Sequence, residues 1–476
     1  MSTATVDNGY AAVMGRQADI LKKASGIDYD LFRKGRLVVD YEALMDSIGY
    51  PLDEIAAIQA QFKTGDTPLL ELKNLTRLAR HLASPGMGAR ILVKDEAANA
   101  SGSFKARRAS LSVWESKRLG YPGVIAATSG NYGAAVAAMA GMQGQRCIVL
   151  QEMYDSRGLG QPEIVEKGRA CESYGAEVWQ TTVGPELFYV HLLLMEQTGF
   201  FNASLYTPFS VAGIQTLGYE VGTEVEQQTG RPPAAVVITH AGGGNVTGTA
   251  LGLIAAGCDE TQVIGASVNL QGLNMASDTD FNRKSFTTGH TGFGVPFLTN
   301  PDRTDVPYNA ARPLRFLDRY VSIEQGAVFY VTQLLAELEG LERGPAGNTS
   351  LAAAFKLAQE LPEDEVIVVQ ETEYTGAGKH PTAQLTFARE NGVQVLRGPA
   401  EMSVPGKVIA IPEQPADVVY QEIDLQRIRG SYLRTQLTRS GIDDASELTE
   451  DEICYFAAET RLSQEECVRL LAECKT

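Results

Sequence analysis

The chain has 476 residues, more than one hydrophobic core normally spans, so at least two packed units are expected. A hydrophobic fraction of 44% is ordinary for a folded protein and argues against extended disorder. The formal net charge of −17 argues against nucleic acid or an anionic membrane as a partner, because both normally require a basic face.

The cysteine and histidine positions bear on redox compartment and metal binding. Six cysteines are scattered without a CxxC pair, the spacing of reduced thiols in a chain this long. The chain shows neither a basic start followed by an apolar run nor any stretch of about twenty apolar residues. The five histidines lie far apart, and none has a metal-ligand spacing such as HExxH. We therefore expect a soluble cytoplasmic protein without a catalytic metal.

Residues 1–64 are predicted to form a charged helical extension that wraps the core. Between residues 89 and 270, short β-branched runs then alternate with Ala-rich helical stretches. Most of these runs are continuously apolar, the pattern of strands buried on both faces of a parallel sheet. The predicted strands are ARILVKDE (89–96), GVIAATS (123–129), RCIVLQ (146–151), AEVWQTT (176–182), AAVVITH (234–240), TQVIGASV (261–268) and, later, EVIVVQ (365–370).

Helices are predicted between these strands. The clearest are YGAAVAAMAGMQ (132–143), PEIVEKGRACESYG (162–175) and NTSLAAAFKLAQEL (348–361). Alternation of strand and helix implies an α/β fold whose parallel strands are joined by right-handed crossovers. The one compact basic stretch, from Arg427 to Arg439, is interpreted as the solvated face of a helix.

The C-terminal region carries two helix-start signals. Thr449 with Glu452, and Ser463 with Glu466, match a capping box, in which a hydroxyl and a carboxylate satisfy the first free amides reciprocally. Two short helices should follow, near 450–460 and 464–474. They are too small to hold an active site, so the unit is expected to dock on the core or on a partner.

The first segment that carries chemistry is ASGSFKARRA, residues 100–109. Small residues precede Lys105, which follows a predicted strand and opens a helix. The positive end of the helix dipole favours a neutral amine, and a neutral amine is what Schiff-base formation with an aldehyde requires. The alternative is a surface lysine beside two arginines in a basic helical turn.

The second segment is ATSGNYGAA, residues 127–135, at the end of a predicted strand. Ligands of open α/β sheets bind outside the carboxyl ends of the strands, so this turn is placed for binding. Its hydroxyls, its amides and the Asn131 side chain suit a carboxylate and a phenolic oxygen. The alternative is a strand–helix turn in which Ser129 or Asn131 caps the helix.

The third segment, THAGGGNVTG (239–248), contains three consecutive glycines before a predicted helix. Glycines let backbone amides approach an anion closely, and the helix dipole adds to the attraction. The segment lacks the lysine of a P-loop and the GxGxxG spacing of a dinucleotide fold, which favours a single phosphate. A tight structural turn is the alternative. A fourth segment, VVQETEYTGAGK (368–379), offers the hydroxyls of Thr372 and Thr375 at the end of the last apolar strand.

Together, the four segments match the parts of pyridoxal 5′-phosphate: its aldehyde, its ring and its one phosphate. Their order and spacing resemble the fold-type II pyridoxal phosphate enzymes, the group of tryptophan synthase β, threonine synthase and cysteine synthase. GDTPLLEL (65–72) is similar to the entry motif of that group, and GPAGNTSLAAA (344–354) to its late loop and helix. The similarity spans roughly residues 65 to 380.

The resemblance implies two open parallel-sheet domains with the cofactor between them. The first would cover residues 65–210 and carry Lys105, the second would cover 211–425 and carry the glycine loop, and 426–476 would be a helical unit. It also implies that Lys105 forms the Schiff base and shuttles protons.

The remaining site residues are likewise implied by the resemblance. Cofactor contacts fall on Asn131 at the ring hydroxyl, on Thr372 or Thr375 at the ring nitrogen, and, for the phosphate, on Gly242, Gly243, Gly244, Asn245 and Thr247. The residues implied for the substrate carboxylate are Thr128, Ser129, Gly130 and Asn131.

Three longer stretches, 267–297, 343–361 and 370–392, are similar to the β-subunits of a family of thiolases. These thiolases cleave 2-amino-4-oxopentanoate with coenzyme A to alanine and acetyl-CoA in ornithine degradation. The similarity implies coenzyme A as co-substrate, a small α-subunit as partner, and a homodimer of this chain within the hetero-oligomer. Two alternatives stay open: elimination or replacement chemistry of the threonine synthase type, and a non-catalytic cofactor-binding assembly subunit.

Overall fold

A computed structural model of the chain describes residues 7–128, 130–182, 184, 186–270, 285–286, 295–301, 304–374 and 381–473. Its strands are β1 (Leu69–Glu71), β2 (Arg90–Asp95), β3 (Gly123–Thr128), β4 (Arg146–Tyr154), β5 (Glu177–Thr182), β6 (Phe201–Asn202), β7 (Ala235–Thr239), β8 (Gln262–Val268), β9 (Arg319–Ile323), β10 (Val366–Glu371), β11 (Gln394–Arg397), β12 (Val408–Ile411) and β13 (Tyr420–Glu422).

The α-helices of the same residues alternate with these strands. They are α1 (Tyr10–Gly15), α2 (Gln17–Ser25), α3 (Tyr41–Asp46), α4 (Leu52–Gln61), α5 (Lys73–Leu82), α6 (Lys105–Arg118), α7 (Asn131–Gln143), α8 (Pro162–Ser173), α9 (Glu186–Thr198), α10 (Pro208–Ala212), α11 (Gln215–Thr229), α12 (Gly244–Ala255), α13 (Val295–Thr299), α14 (Gln325–Glu339), α15 (Asn348–Ala358), α16 (Pro381–Glu390), α17 (Leu425–Arg439), α18 (Glu450–Thr460) and α19 (Gln464–Glu473). In the part of the chain so described, none of the helices has the length and apolar composition needed to cross a membrane.

Two parallel sheets organise the fold. The larger has seven strands in the order β1-β2-β10-β7-β8-β9-β13, and its central strands are parallel while the edge strands β1 and β13 pair antiparallel. The smaller has four parallel strands in the order β5-β4-β3-β6. The predicted α/β fold is therefore confirmed, and all seven predicted strands are present.

The strand sequences explain which sheet positions are buried. Every residue of β10 is buried, and β7 and β8 are buried except at one end, as their continuous apolar runs require. Val369 lies between Val93 and Val237 in register. Helix α15 covers one face of these strands, and its small residues allow close approach to the sheet.

The N-terminal helices pack against the smaller sheet. Ile20 and Leu21 of α2 join one hydrophobic cluster with Ile125 of β3 and Ile148 of β4. The Ala-rich α7 is buried along most of its length. The predicted helical, core-wrapping character of the N-terminus is therefore present in the structure.

The strands do not follow the proposed linear domain boundaries throughout. β1 and β2 lie within residues 65–210, yet β2 pairs with β10 of the larger sheet along its whole length, from Arg90↔Val366 to Asp95↔Glu371. The polypeptide thus contributes to the larger sheet before it builds the smaller one. The division at residue 210 stays a proposal, and β1 and β2 would have to be assigned with the second unit.

The C-terminal helices dock on the core of their own chain. Leu433, Phe456 and Leu471 join the cluster that contains Ile238 of β7 and Val368 of β10. Both predicted capping boxes form, at the starts of α18 and α19. On α17, the arginines at 427, 434 and 439 are exposed as predicted, whereas the opposite face is buried.

A buried ionic network fixes the start of α6. Arg107, whose side chain is fully buried, donates from Nε to Glu96 at 2.7 Å and from Nη1 to Glu220 at 2.7 Å. Lys94, also fully buried, bonds to Glu220 at 2.9 Å and to Glu224 at 2.7 Å. Burial alone would raise the pKa of Glu220, but Arg107 and Lys94 lower it to about 2. The network joins β2, α6 and α11.

We predict that Arg107→Gln lowers the free energy of unfolding by about 3–5 kcal/mol, because it leaves the buried carboxylate of Glu96 without its counter-charge. Arg90→Gln is the matched control, since Arg90 pairs with Glu71 at 3.2 Å on the surface and its loss should cost about 0–1 kcal/mol. Urea denaturation of the cofactor-free protein compares the two. Equal effects would contradict a special role for the buried network.

Candidate active site

Lys105 is the first residue of α6 and is only partly exposed. Its Nζ lies 4.1 Å from the centre of the Phe104 ring. Burial holds the pKa of the Lys105 amine well below its usual value; the charge of Arg108 lowers it further, and Glu373 opposes the shift. The neutral amine expected from the sequence is therefore favoured, with burial as the leading cause. A neutral amine can attack an aldehyde.

The glycine loop leaves no room for side chains. Gly242 and Gly243 follow β7, and α12 begins at Gly244. A Cβ atom on Gly242 would lie 2.3 Å from the Tyr206 hydroxyl, and one on Gly243 would lie 2.5 Å from the Pro313 ring. Gly243 also has φ +88°, a conformation that favours glycine. The bare amides and the start of α12 form the kind of cradle that binds an anion.

Two polar residues lie in the first turn of α12, directly after this loop. Asn245 accepts a hydrogen bond from the Thr249 hydroxyl at 3.3 Å, while its buried Nδ2 has no partner among the described residues. A buried donor of this kind normally has a partner, so it fits a site that holds an anionic oxygen. Thr247 donates to the Gly243 carbonyl at 2.9 Å and accepts from the Arg312 amide at 2.9 Å. The Thr247 hydroxyl thus holds the loop in shape.

The turn after β3 comes from the smaller sheet. Asn131 opens α7, and its Nδ2 donates to the Glu373 carboxylate. Thr128 caps the helix, because its hydroxyl accepts from the amides of Gly130 at 3.1 Å and Gly133 at 3.3 Å. Thr128 thus has the capping role that the sequence suggests for Ser129 or Asn131. Ser129 itself lies outside the described residues.

The segment after β10 lies beside the lysine. Thr372 is buried, and its carbonyl accepts from the Phe104 amide at 3.0 Å. Glu373 forms a backbone bridge with Ser103. Thr375, the other residue expected near a ring nitrogen, lies outside the described residues.

An acidic residue next to Thr372 has a raised carboxyl pKa. Glu371 is fully buried, and burial together with the nearby Glu373 raises its carboxyl pKa well above the usual range, although Arg343 opposes the shift. Arg343 itself pairs with Asp95 at 2.5 Å.

The sheet order explains why distant segments meet. β2, β10 and β7 are adjacent and parallel, so their carboxyl ends lie side by side. The lysine segment, Thr372 and the glycine loop follow these three ends in turn, at the place where open α/β sheets bind ligands. Two contacts complete the cluster: Arg108 lies against Gly244, and Glu373 joins Asn131 to the Lys105 segment.

Two residues of this cluster were not singled out from the sequence. The sequence places Arg108 only in a basic helical turn, yet it is buried, as is Arg107. The available signal was the run of small residues that follows on α6, since Ala109, Ser110 and Ser112 mark a helix packed on all sides. Glu373 has no comparable local signal, because its place depends on how β10 ends.

Comparison with known proteins agrees with this geometry. The sequence matches the family described as pyridoxal-phosphate dependent enzyme over residues 60–373. It is 60% identical to a 2-amino-4-ketopentanoate thiolase beta subunit from an unknown prokaryotic organism, over 96% of both chains. It is 57% identical to the protein of the same name from Acetoanaerobium sticklandii, over 96% of this chain and 97% of that one.

A solved structure gives the same fold at lower identity. The O-ureido-L-serine synthase structure with O-ureido-L-serine bound matches with a TM-score of 0.52 and 19% identity, over 71% of this chain and 94% of that one. The family match covers most of the region expected from the motifs, and the two thiolase relatives extend it over almost the whole chain. The chain therefore belongs to the pyridoxal-phosphate dependent enzymes, and within them to the family of the 2-amino-4-ketopentanoate thiolase beta subunits.

Proposed function

We propose that the chain carries pyridoxal 5′-phosphate on Lys105 and uses it in the thiolytic cleavage of 2-amino-4-oxopentanoate. The observation that carries the cofactor assignment is a lysine with a depressed pKa at the start of α6, together with a glycine loop after β7 that leaves no room for side chains. The reaction assignment rests on the identity to thiolase beta subunits along nearly the full chain.

The residues present fit the cofactor part by part. The amides of Gly242 to Asn245 would hold the phosphate, with the unpartnered Asn245 Nδ2 as a further donor and Thr247 fixing the loop. Asn131 would contact the ring hydroxyl, and Thr372 or Thr375 would face the ring nitrogen. When bound, the cofactor supplies an electron-withdrawing ring at the substrate α-carbon.

The electrostatics of Lys105 suit proton transfer in both directions. A buried neutral amine is a base, so Nζ can accept the α-proton of an amino acid. Once it carries that proton, the burial of the amine favours giving it back. Residues 128–131, at the carboxyl end of β3, would hold the substrate carboxylate on the opposite side of the site.

The overall reaction balances without a further reagent. The bond between carbons 3 and 4 of 2-amino-4-oxopentanoate breaks, and the coenzyme A sulfur bonds to carbon 4, which leaves as acetyl-CoA. Carbon 3 gains the proton that the thiol loses, which gives alanine. Coenzyme A is thus a co-substrate.

The partner and the cellular location belong to the same proposal. The name "beta subunit" of the two relatives supports a partner α-subunit. We propose that this subunit is small and completes the site or gates the thiol, and that this chain forms a homodimer within the assembly. A cytoplasmic location is supported by the free state of the five cysteines that the described residues include.

We predict that Lys105→Ala abolishes the absorbance of the lysine-bound cofactor and lowers turnover by at least about a hundredfold, because it removes the amine that is proposed to carry the proton. Lys117→Ala, on the exposed end of the same helix, is the control. Borohydride reduction followed by peptide mapping identifies the modified lysine. Labelling of a different lysine would overturn the assignment.

We predict that Gly243→Ala weakens pyridoxal phosphate binding by about tenfold or more, since a Cβ would meet Pro313 and distort the loop. Gly257→Ala is a close control, because Gly257 has a similar φ of +77° and open space around it. Both variants share the backbone strain, and only the first disturbs the cradle. If both variants bound pyridoxal phosphate with equal affinity in an equilibrium titration, the glycine loop would be only a structural turn.

We predict that the chain, reconstituted with its α-subunit, forms acetyl-CoA and alanine in equal amounts from 2-amino-4-oxopentanoate and coenzyme A. Chromatography of both products, with and without the α-subunit, is the measurement. Release of ammonia or pyruvate from simpler amino acids, without acetyl-CoA, would move the protein to elimination chemistry of the threonine synthase type. A non-catalytic subunit would show neither activity, although the retained Lys105 argues against that role.

A further inference from the structure

Arg108 is a buried cation with only neutral partners. Its side chain is about 2% exposed, its Nε donates to the Ser210 hydroxyl at 3.0 Å, and its Nη2 donates to the Leu205 carbonyl. Within the described part of the chain, no carboxylate pairs with it. The ring of Tyr132, whose centre lies 5.8 Å from Cζ, adds only a weak attraction.

Among the described residues, most other largely buried arginines pair with a carboxylate; Arg429 instead donates to the Leu317 carbonyl at 3.4 Å. Arg107, the next residue, is held between Glu96 and Glu220. Arg315 bonds to Glu459 at 2.6 Å. An unpaired buried charge is costly, and proteins normally supply a counter-ion for it. Arg108 therefore lacks the carboxylate partner that Arg107 and Arg315 have.

The guanidinium of Arg108 lies against the start of the glycine loop. A Cβ on Gly244 would be 2.4 Å from its Nη2, 2.8 Å from its Cζ and 3.0 Å from its Nη1. Gly244 is the first residue of α12, where amides and helix dipole attract an anion. Arg108 also lies one helical turn after Lys105, so both basic side chains share one face of α6.

We propose that Arg108 is the cationic group of the phosphate site, pairing with the cofactor phosphate from the α6 side while the glycine-loop amides bind it from the α12 side. This inference rests on the proposed function and extends it to a residue outside the glycine loop. The phosphate supplies the counter-charge that the chain does not. The phosphate charge would also balance the charge of Arg108, which by itself helps to lower the pKa of Lys105.

The test compares pyridoxal phosphate with pyridoxal, which has the same aldehyde and ring but no phosphate. Arg108→Met and Arg108→Gln should lose about ten- to a hundredfold in affinity for pyridoxal phosphate, the range expected for a charge-assisted hydrogen bond. Their affinity for pyridoxal should stay within about threefold of the wild type. Arg118→Gln, an exposed arginine of the same helix paired with Glu115, is the control.

A second readout separates binding from folding. Because Arg108→Met removes an uncompensated buried charge, the cofactor-free variant should unfold at the wild-type temperature or above. Failure of this variant to fold, or equal losses for both ligands, would make Arg108 a structural residue and overturn the inference. Unchanged preference for pyridoxal phosphate would also overturn it. Wild-type protein that does not bind pyridoxal phosphate on Lys105 would instead refute the proposed function.

Discussion

The position of the lysine depends on a neighbouring arginine that does no chemistry. Arg107 bridges Glu96, directly after β2, and Glu220 on α11, and all of its nitrogen donors face buried or half-buried acceptors. Because Arg107 lies in the first turn of α6, the network fixes where that helix begins and how it is rotated about its axis. Lys105 and Arg108 then point to one side, and Arg107 to another. If the turn shifted by one residue, Arg108 would take the place of Arg107 between the two glutamates, and Arg107 would lose its carboxylate partners.

The sequence could predict the fold where the strands are continuously apolar. All seven predicted strands are present, and β4 runs on to Tyr154, beyond the predicted end at residue 151. Of the unpredicted strands, β9 lies inside the larger sheet between β8 and β13, and the others are short or lie at edges: β6 has two residues, and β1 and β13 pair antiparallel. Such strands owe their conformation to their partners more than to their own pattern. The pairing of β2 with β10 likewise cannot be predicted from hydrophobic periodicity, because the sequence of one strand does not specify which other strand it pairs with.

The same limit applies to the site. The lysine segment, the strand–helix turn and the glycine loop could be predicted because each has a local conformational cause: small residues, a cap or a glycine at positive φ. The burial of Arg108 and Glu373 could not, because charged residues are normally exposed and become buried only through tertiary partners. Those partners come from elements far along the chain, such as Ser210 and the loop at Gly244.

The C-terminal helices are connected to the glycine loop through a second ionic cluster. Glu459 of α18 bonds to Arg312 at 3.3 Å and to Arg315 at 2.6 Å, and these arginines hold its pKa low against the effect of burial. The Arg312 amide in turn donates to Thr247, which fixes Gly243. Amides bind an anion well only when they are held in place before it arrives. The C-terminal unit therefore supports the loop from behind, and its first role lies within its own chain.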